Sequence, residues 1–211
     1  MQSFPVLKLT YFDAPGRGEI IRLALFVGNV PFEDERLSRE EFRKIKPTLH
    51  YRQLPVLSVD GRVMAQSLAI ARYVGALSGI YPTDNLMNAF MVDEILMASD
   101  DVFTSILQYI WETDSEKKAN MLAALLDHKL DDALADIEKR LQSNFKGPFI
   151  LGEKISLADL EMYIQVLRFQ SGGIPDIPVT MLEKYPTWMS IYNNVLNHTK
   201  VQEWNALHPA K

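Results

Sequence analysis

Two short apolar runs, Val56-Leu57-Ser58-Val59 and Arg62-Val63-Met64-Ala65, flank Asp60-Gly61, and strand signals nearly vanish beyond residue 85 of this 211-residue chain. An Asp-Gly pair in that setting is the strongest short hairpin signal available, because a two-residue turn needs positive φ at its central positions. The sheet must therefore be complete early, and the rest of the chain must be built from helices.

The residues before the hairpin fix the kind of sheet. Val6 to Tyr11 is a short apolar run suited to a strand. Gly18 to Val27 is apolar almost all round, broken only by Glu19 and Arg22, and Gly28-Asn29 stops it, which describes a buried helix. Pro31 to Leu37 suits an edge-type strand, and Ser38-Arg39-Glu40-Glu41 offers a capping box for a short helix. After the hairpin, Ser67 to Leu77 gives a further helix that ends at Ser78-Gly79. The order βαβαββα combines a βαβ unit with an antiparallel hairpin, so the sheet is mixed. That is an α/β, thioredoxin-like arrangement.

Tyr81-Pro82-Thr83-Asp84-Asn85 reads as a connection. Beyond it, Met87, Phe90, Met91, Ile95, Ala98, Val102, Ile106 and Ile110 recur at helical spacing, as do Leu130, Leu134, Ile137 and Leu141. The expected organisation is a thioredoxin-like domain over residues 1–81, a linker over 82–86 and an all-α domain over 87–211. One helix start is unusually well marked. In Ile155-Ser156-Leu157-Ala158-Asp159-Leu160 the serine can cap, the aspartate can reach back, and Ile155 with Leu160 can form a hydrophobic staple.

Composition narrows the function classes. With 47% hydrophobic residues the chain can bury a sizeable core. Residues 1–82 carry 11 Lys and Arg against 8 Asp and Glu, net +3, whereas residues 83–211 carry 11 against 19, net −8. A small anionic ligand is favoured by the first part, and no dense basic stripe for nucleic acid is visible. The absence of cysteine rules out a disulfide scaffold, a thiolate metal site and a cysteine nucleophile, so any thiol chemistry belongs to a ligand. No apolar run approaches the ~20 residues of a membrane span, and the reading is a cytoplasmic protein without membrane insertion.

Tyr11 ends the first strand and is followed at once by Phe12-Asp13-Ala14-Pro15-Gly16-Arg17-Gly18-Glu19. A hydroxyl where a strand hands over to a helix N-terminus is placed to hydrogen-bond an anionic atom, with Arg17 nearby.

Four separated motifs, Leu-x-Tyr-Phe with Gly16-Arg17-Gly18-Glu19, Gln53-Leu54-Pro55-Val56-Leu57, Gln66-Ser67-Leu68-Ala69-Ile70-Ala71-Arg72-Tyr73 and Ser156-Leu157-Ala158-Asp159, stand in order along nearly the whole chain. Together they resemble the cytosolic glutathione S-transferases, tyrosine type, most like the sigma class. The resemblance implies a homodimer that binds glutathione as co-substrate, needs no metal, and conjugates the thiol to apolar electrophiles in detoxification. It implies that the Tyr11 hydroxyl stabilises the thiolate, and that a cis peptide before Pro55 presents the Leu54 backbone to the ligand. Ser67 and the adjacent helix N–H groups, after Gln66, would receive the γ-glutamyl carboxylate. Lys46 and Gln53 match positions that hold the glycyl end of glutathione. Phe42 stands where the sigma pattern often has tryptophan, which keeps an apolar wall and removes an indole N–H.

Asp101 matches an aspartate that reaches the α-amino group of the ligand across a dimer interface, although Asp100-Asp101 alone reads as a solvated helix face. Tyr51 stands in the manner of an aromatic that some classes insert into a partner subunit. Arg17 either polarises the sulfur site or pairs with Glu19 or Asp13 to hold the turn. Phe12, Ile106, Gln108, Tyr109, Trp111 and Trp204 are the candidates for the electrophile pocket. Two other readings use the same fold: a glutathione-dependent isomerase of the prostaglandin-D-synthase kind, and a non-catalytic structural protein or carrier of apolar ligands.

Overall fold

The computed structural model describes residues Phe4–Pro209. Two compact units are present. One comprises residues up to Leu86 together with those from His198 on, and the other spans Met87–Asn197.

In the first unit β1 (Leu7–Phe12) leads through a short 3-10 turn over Gly16–Gly18 into α1 (Glu19–Val27), then β2 (Glu33–Leu37) and α2 (Arg39–Ile45). The hairpin of β3 (Val56–Val59) and β4 (Arg62–Ala65) and then α3 (Ser67–Leu77) complete it, giving the expected βαβαββα order. The sheet order is β2-β1-β3-β4, with β1 and β2 parallel and the other pairs antiparallel. Asp60 and Gly61 have φ of 48° and 84°, as the hairpin turn requires. Ser38 and Glu41 close the expected capping box at α2.

α1 ends where the sequence says, but for a different reason. Gly28 has φ of −80°, and the left-handed residue is Asn29 at 51°. The glycine is needed because a Cβ there would come within 2.6 Å of the Ser78 Cα at the end of α3. α1 and α3 pack on each other, with Ile21, Leu23, Ala24, Ile70 and Val74 fully buried against the floor set by Leu9 and Leu57. At about 1.5–3 kcal/mol for each large aliphatic side chain removed from water, this layer is the main source of the unit's stability.

The last helix departs from the expected 87–211 domain. α9 (Thr199–Leu207) packs on α1, so the C-terminal segment belongs to the first unit. Trp204 meets Phe26 edge to face at 5.2 Å between ring centres and stacks on His208.

The second unit is helical: α4 (Leu86–Trp111, its first residue in the other unit), α5 (Ser115–Ala124), a π-helical stretch over Leu125–Lys129, α6 (Leu130–Asn144), α7 (Leu157–Gln170) and α8 (Pro186–Leu196). α7 is buried along nearly its whole length, and its buried set includes the polar Asp159, Glu161 and Gln165 as well as apolar residues. Leu130, Leu134, Ile137 and Leu141 are buried as their spacing predicts. On α4 the buried stripe runs through Val92, Ile95, Ser99, Val102, Ile106 and Tyr109. Met87 and Phe90, expected in that stripe, are instead exposed, because the stripe begins only at Val92.

The expected reach-back of Asp159 to Ser156 forms at the start of α7. Asp159 is fully buried, and its carboxylate accepts from the Ser156 N–H at 2.8 Å, the Ser156 hydroxyl at 2.6 Å and the Ile150 N–H at 2.8 Å. Replacing it by alanine leaves these donors unpaired, so Asp159→Ala is expected to cost about 2 to 4 kcal/mol in urea denaturation, and Ser156→Ala about 1 kcal/mol. Burial pushes the Asp159 carboxyl from the ordinary 3.8 up to about 6, against the pull of its hydrogen bonds. The folded state therefore keeps a proton that the unfolded chain releases. This contribution to stability is complete below pH 3.8 and is lost as pH rises through about 6. Unfolding of Asp159→Asn across that range should lack this slope.

Candidate active site

Strand register gathers the residues singled out in the first unit. Thr10 lies opposite Val56, and Val56 opposite Ala65. The neighbouring residues Tyr11, Leu54-Pro55 and Gln66-Ser67 therefore leave three adjacent strands at one end of the sheet. α1 and α3 both begin at this end. The N–H groups of a helix's first turn have no partner within the helix, and they carry partial positive charge. Two such ends at one sheet edge favour an anion.

Tyr11 is held closely. Its ring is buried, and its hydroxyl accepts the Arg17 backbone N–H at 2.9 Å. As an acceptor in that bond, the phenol keeps its own proton as a donor. The turn can approach only because Gly16 and Gly18 lack side chains. A Cβ at Gly18 would stand 2.5 Å from the ring Cδ1, and one at Gly16 would collide with the hydroxyl. From Tyr11 an aromatic chain continues edge to face, to Phe12 at 5.4 Å and on to Phe42 at 5.1 Å, with the Lys46 ammonium 5.6 Å from the Phe42 ring. Phe12, Phe42 and Lys46 are thus brought into one group with Tyr11. Phe42 and Phe12 are half-buried and Lys46 is exposed.

The Leu54-Pro55 peptide is cis. Around it lie three non-glycine residues in the left-handed region, Tyr51 at φ 57°, Arg52 at 53° and Gln66 at 76°. Each such residue costs of order 1–3 kcal/mol and persists only where its surroundings dictate it. Gln66 is the N-cap of α3 and makes no side-chain capping bond, and Ser67 is the first residue of the helix rather than its cap. Gln53 and Gln66 are exposed and Ser67 is half-buried. Tyr51 is 71% exposed, beside this loop.

The residues placed on α4 divide between two faces. Ile106 and Tyr109, three apart, are buried, and the Tyr109 hydroxyl donates to Asp176 at 2.7 Å. Gln108 and Trp111, also three apart, are exposed, Trp111 at 69%. The sequence-based pocket set therefore mixes opposite sides of one helix. Trp204 is 5% exposed in the core of the first unit, and its indole N–H is taken up by Glu19 at 2.8 Å. Asp101 is exposed and lines a groove of about 450 Å³ within the helical unit, between α4 and α6, together with Ile95, Ala98, Val102, Ile137 and Arg140.

Sequence reasoning passes over Arg22. It is 0% exposed, donates from Nη1 to the Ala14 carbonyl at 2.8 Å and from Nη2 to the Phe12 carbonyl at 3.0 Å, and faces Asp34 through Nε at 3.0 Å. Its guanidinium lies 5.7 Å from the Tyr11 ring centre. Glu19 pairs with Arg22 at 3.4 Å, and Asp13 with Arg36 at 3.1 Å. The available signal is a lone arginine inside an otherwise apolar helix, three residues after a glutamate.

Family models match twice, the glutathione S-transferase N-terminal domain over residues 7–76 and the C-terminal domain over residues 100–208. Glutathione S-transferase 4 of Caenorhabditis elegans is 35% identical over 177 residues, 82% of this chain and 84% of that protein. The hematopoietic prostaglandin D synthase of Mus musculus is 30% identical over 207 residues, 97% of this chain and 98% of that protein. A solved structure of prostaglandin synthase D from Nilaparvata lugens superposes with a TM-score of 0.85 at 32% identity, covering 98% of this chain and all of that one. The chain belongs to the glutathione S-transferase family.

Proposed function

We propose that this protein is a glutathione transferase of the tyrosine type, sigma-like, in which the Tyr11 hydroxyl donates a hydrogen bond to the glutathione sulfur and holds it as the attacking thiolate. The observation that carries this reading is the sheet end at which Tyr11, Pro55 and the start of α3 meet, with two helix N-termini beside them. A free thiol has a pKa near ~8.5, and lowering it by two units takes about 2.7 kcal/mol. One charge-assisted hydrogen bond, together with partial positive charge from the helix ends, is of that size. The thiolate then attacks an electrophilic carbon, forming the carbon–sulfur bond as the leaving group departs with the electron pair.

The rest of glutathione is assigned by the same logic. The Leu54 backbone pairs with the cysteinyl portion, and Ser67 with the first N–H groups of α3 receives the γ-glutamyl carboxylate. Gln53, Gln66 and Lys46 hold the remaining polar groups, with Phe42 as a wall. Arg17 acts through its backbone N–H on the Tyr11 hydroxyl. Phe12, half-buried beside Phe42, is the first-unit residue that borders the electrophile. No helix of the described residues is long and apolar enough to cross a membrane, and a chain free of cysteine working on reduced glutathione suits the cytoplasm.

The likeness to proteins named prostaglandin D synthase supports a second reading. In that reading the same thiolate isomerises a lipid endoperoxide and is released unchanged. Glutathione stoichiometry separates the two, since conjugation consumes one thiol per turnover and isomerisation none.

A second copy of the chain is the proposed occupant of the α4–α6 groove. Phe90 and Met97 leave 55% and 51% of their surface exposed on the side of α4 that carries Asp101, which lines the groove. Apolar surface of this kind marks an interaction site. Asp101 of the partner subunit would then reach the α-amino group of glutathione.

Tyr11→Phe is expected to lower turnover of an activated aryl halide by ten- to a thousandfold, about 1.4 to 4 kcal/mol, with glutathione still bound. Following thiolate absorbance against pH with bound glutathione checks the cause, and equal thiol titration in both proteins would remove Tyr11 from the mechanism. Phe90→Asp should dissociate the dimer in sedimentation experiments. Asp101→Asn should weaken glutathione binding in the dimer and leave that of Phe90→Asp monomers unaltered. An equal loss in both backgrounds would defeat the cross-subunit assignment.

A further inference from the structure

Trp204 lies near the other end of the chain from Tyr11, yet a continuous set of hydrogen bonds links the two. The Trp204 indole N–H donates to Glu19 Oε1 at 2.8 Å, and the second carboxylate oxygen of Glu19 faces Arg22 Nη1 at 3.4 Å. Arg22 then grips the carbonyls of Phe12 and Ala14, the residues on either side of Asp13 in the turn that joins Tyr11 to Arg17. On its remaining side the guanidinium faces Asp34, which also accepts from Arg36, and Arg36 pairs with Asp13.

Glu19 occupies the pivotal place. It is the first residue of α1, and its carboxylate serves two donors from opposite directions. A glutamate left to one partner has several rotamers open to it, whereas two fixed donors select one. Trp204 is itself immobilised between Phe26 and His208. The indole therefore fixes Glu19, Glu19 helps fix Arg22, and Arg22 fixes the backbone that presents both the phenol and the Arg17 N–H bonded to it.

We propose that Trp204, Glu19 and Arg22 form a positioning relay through which the C-terminal helix holds the Tyr11 hydroxyl in register with the bound thiol. The proposal rests on the transferase reading and deepens it by adding residues that touch neither glutathione nor the electrophile. Hydrogen-bond strength depends steeply on alignment. Loosening the turn is thus expected to weaken thiolate stabilisation more than glutathione binding, which is spread over many contacts.

The test uses the full-length protein as Trp204→Phe, which keeps an aromatic ring between Phe26 and His208 and removes the N–H together with the smaller ring of the indole. Glu19→Gln is the second variant, with an acceptor for the indole retained and the negative charge facing Arg22 removed. Phe26→Leu is the packing control. For both relay variants kcat/KM toward an activated aryl halide near neutral pH should fall about three- to tenfold, with the KM for glutathione changed less than about twofold, as expected when orientation rather than binding is lost. The bound-thiol titration should move to higher pH in both. In Phe26→Leu it should stay at the wild-type position even if thermal stability drops. Combining Trp204→Phe with Glu19→Gln should add little to either alone, because the two act through one chain of contacts.

A thiol titration unchanged in both variants, while Tyr11→Phe still shifts it, overturns the relay and leaves the transferase reading standing. An unchanged titration in Tyr11→Phe itself defeats that reading instead. A loss confined to the KM for the electrophile overturns the relay in favour of Trp204 as a wall of the electrophile pocket. An equal thiol shift in Phe26→Leu also overturns it, since packing alone would then account for the effect.

Discussion

A guanidinium without exposed surface governs the first unit. Burying a charge costs several kcal/mol unless its donors are paired in good geometry. Arg22 meets that condition with acceptors drawn from three places in the chain: Asp34 on β2, the Phe12 and Ala14 carbonyls at the end of β1 and just beyond it, and Glu19 at the head of its own helix. Each demand shapes the architecture. β2 must lie parallel beside β1 so that Asp34 reaches the guanidinium, and the chain after β1 must fold back over it before α1 can begin. That backward fold is the turn that lays Gly16 and Gly18 against the Tyr11 ring. One buried charge thus fixes both the edge of the sheet and the seat of the phenol.

The helical unit uses buried polar groups to choose helix partners. Ser99 on α4 donates to Glu161 on α7 at 3.0 Å, and Gln165 bonds both. Burial pushes the Glu161 carboxyl upward, while Arg168 at 4.0 Å and the hydrogen bonds oppose it. Glu138 on α6 accepts the N–H groups of Thr187 and Trp188, both at 2.9 Å. It supplies the N-terminal partner that the Tyr185 cap of α8 does not, since no side-chain capping bond is made there. These contacts join helices far apart in sequence, and they would be unsatisfied in any other register.

The features legible in the sequence are local ones. The Asp60-Gly61 turn, the capping boxes at Ser38 and Ser156 and the span of α3 depend on a few consecutive residues and can be read from them. The placement of Tyr11 at a strand-to-helix junction is legible because it depends on consecutive residues. The role of Arg22 is not, because its acceptors are carbonyls and a carboxylate assembled only by the fold. Gly28 reads as a helix stop, when its need is for room beside Ser78. Trp204 reads with the helical part because it comes after it in sequence, whereas packing on Phe26 and Glu19 draws α9 to the first unit. The candidates placed on α4 ignore periodicity. Residues 106 and 108 lie about 200° apart around a helix, so choosing both for one wall mixes its two sides.

Strain and electrostatics converge at the sheet end where the site is proposed. Tyr51, Arg52 and Gln66 occupy left-handed conformations without being glycine, and all three flank the segments that would meet glutathione. The core must hold these conformations in place, and the neighbouring layer of Leu57, Ile70 and Val74 is fully buried. A loop so constrained does not need to be ordered when a ligand arrives, which removes part of the entropic cost of binding. The same reasoning applies to the phenol. Its acceptance of the Arg17 N–H is made by folding, before any sulfur is present, so the donor direction is set in advance. With two helix starts at that end, charge developing on a sulfur bound as proposed would meet dipoles that need no rearrangement, and stability supplied by the distant core would become acidity at the bound thiol.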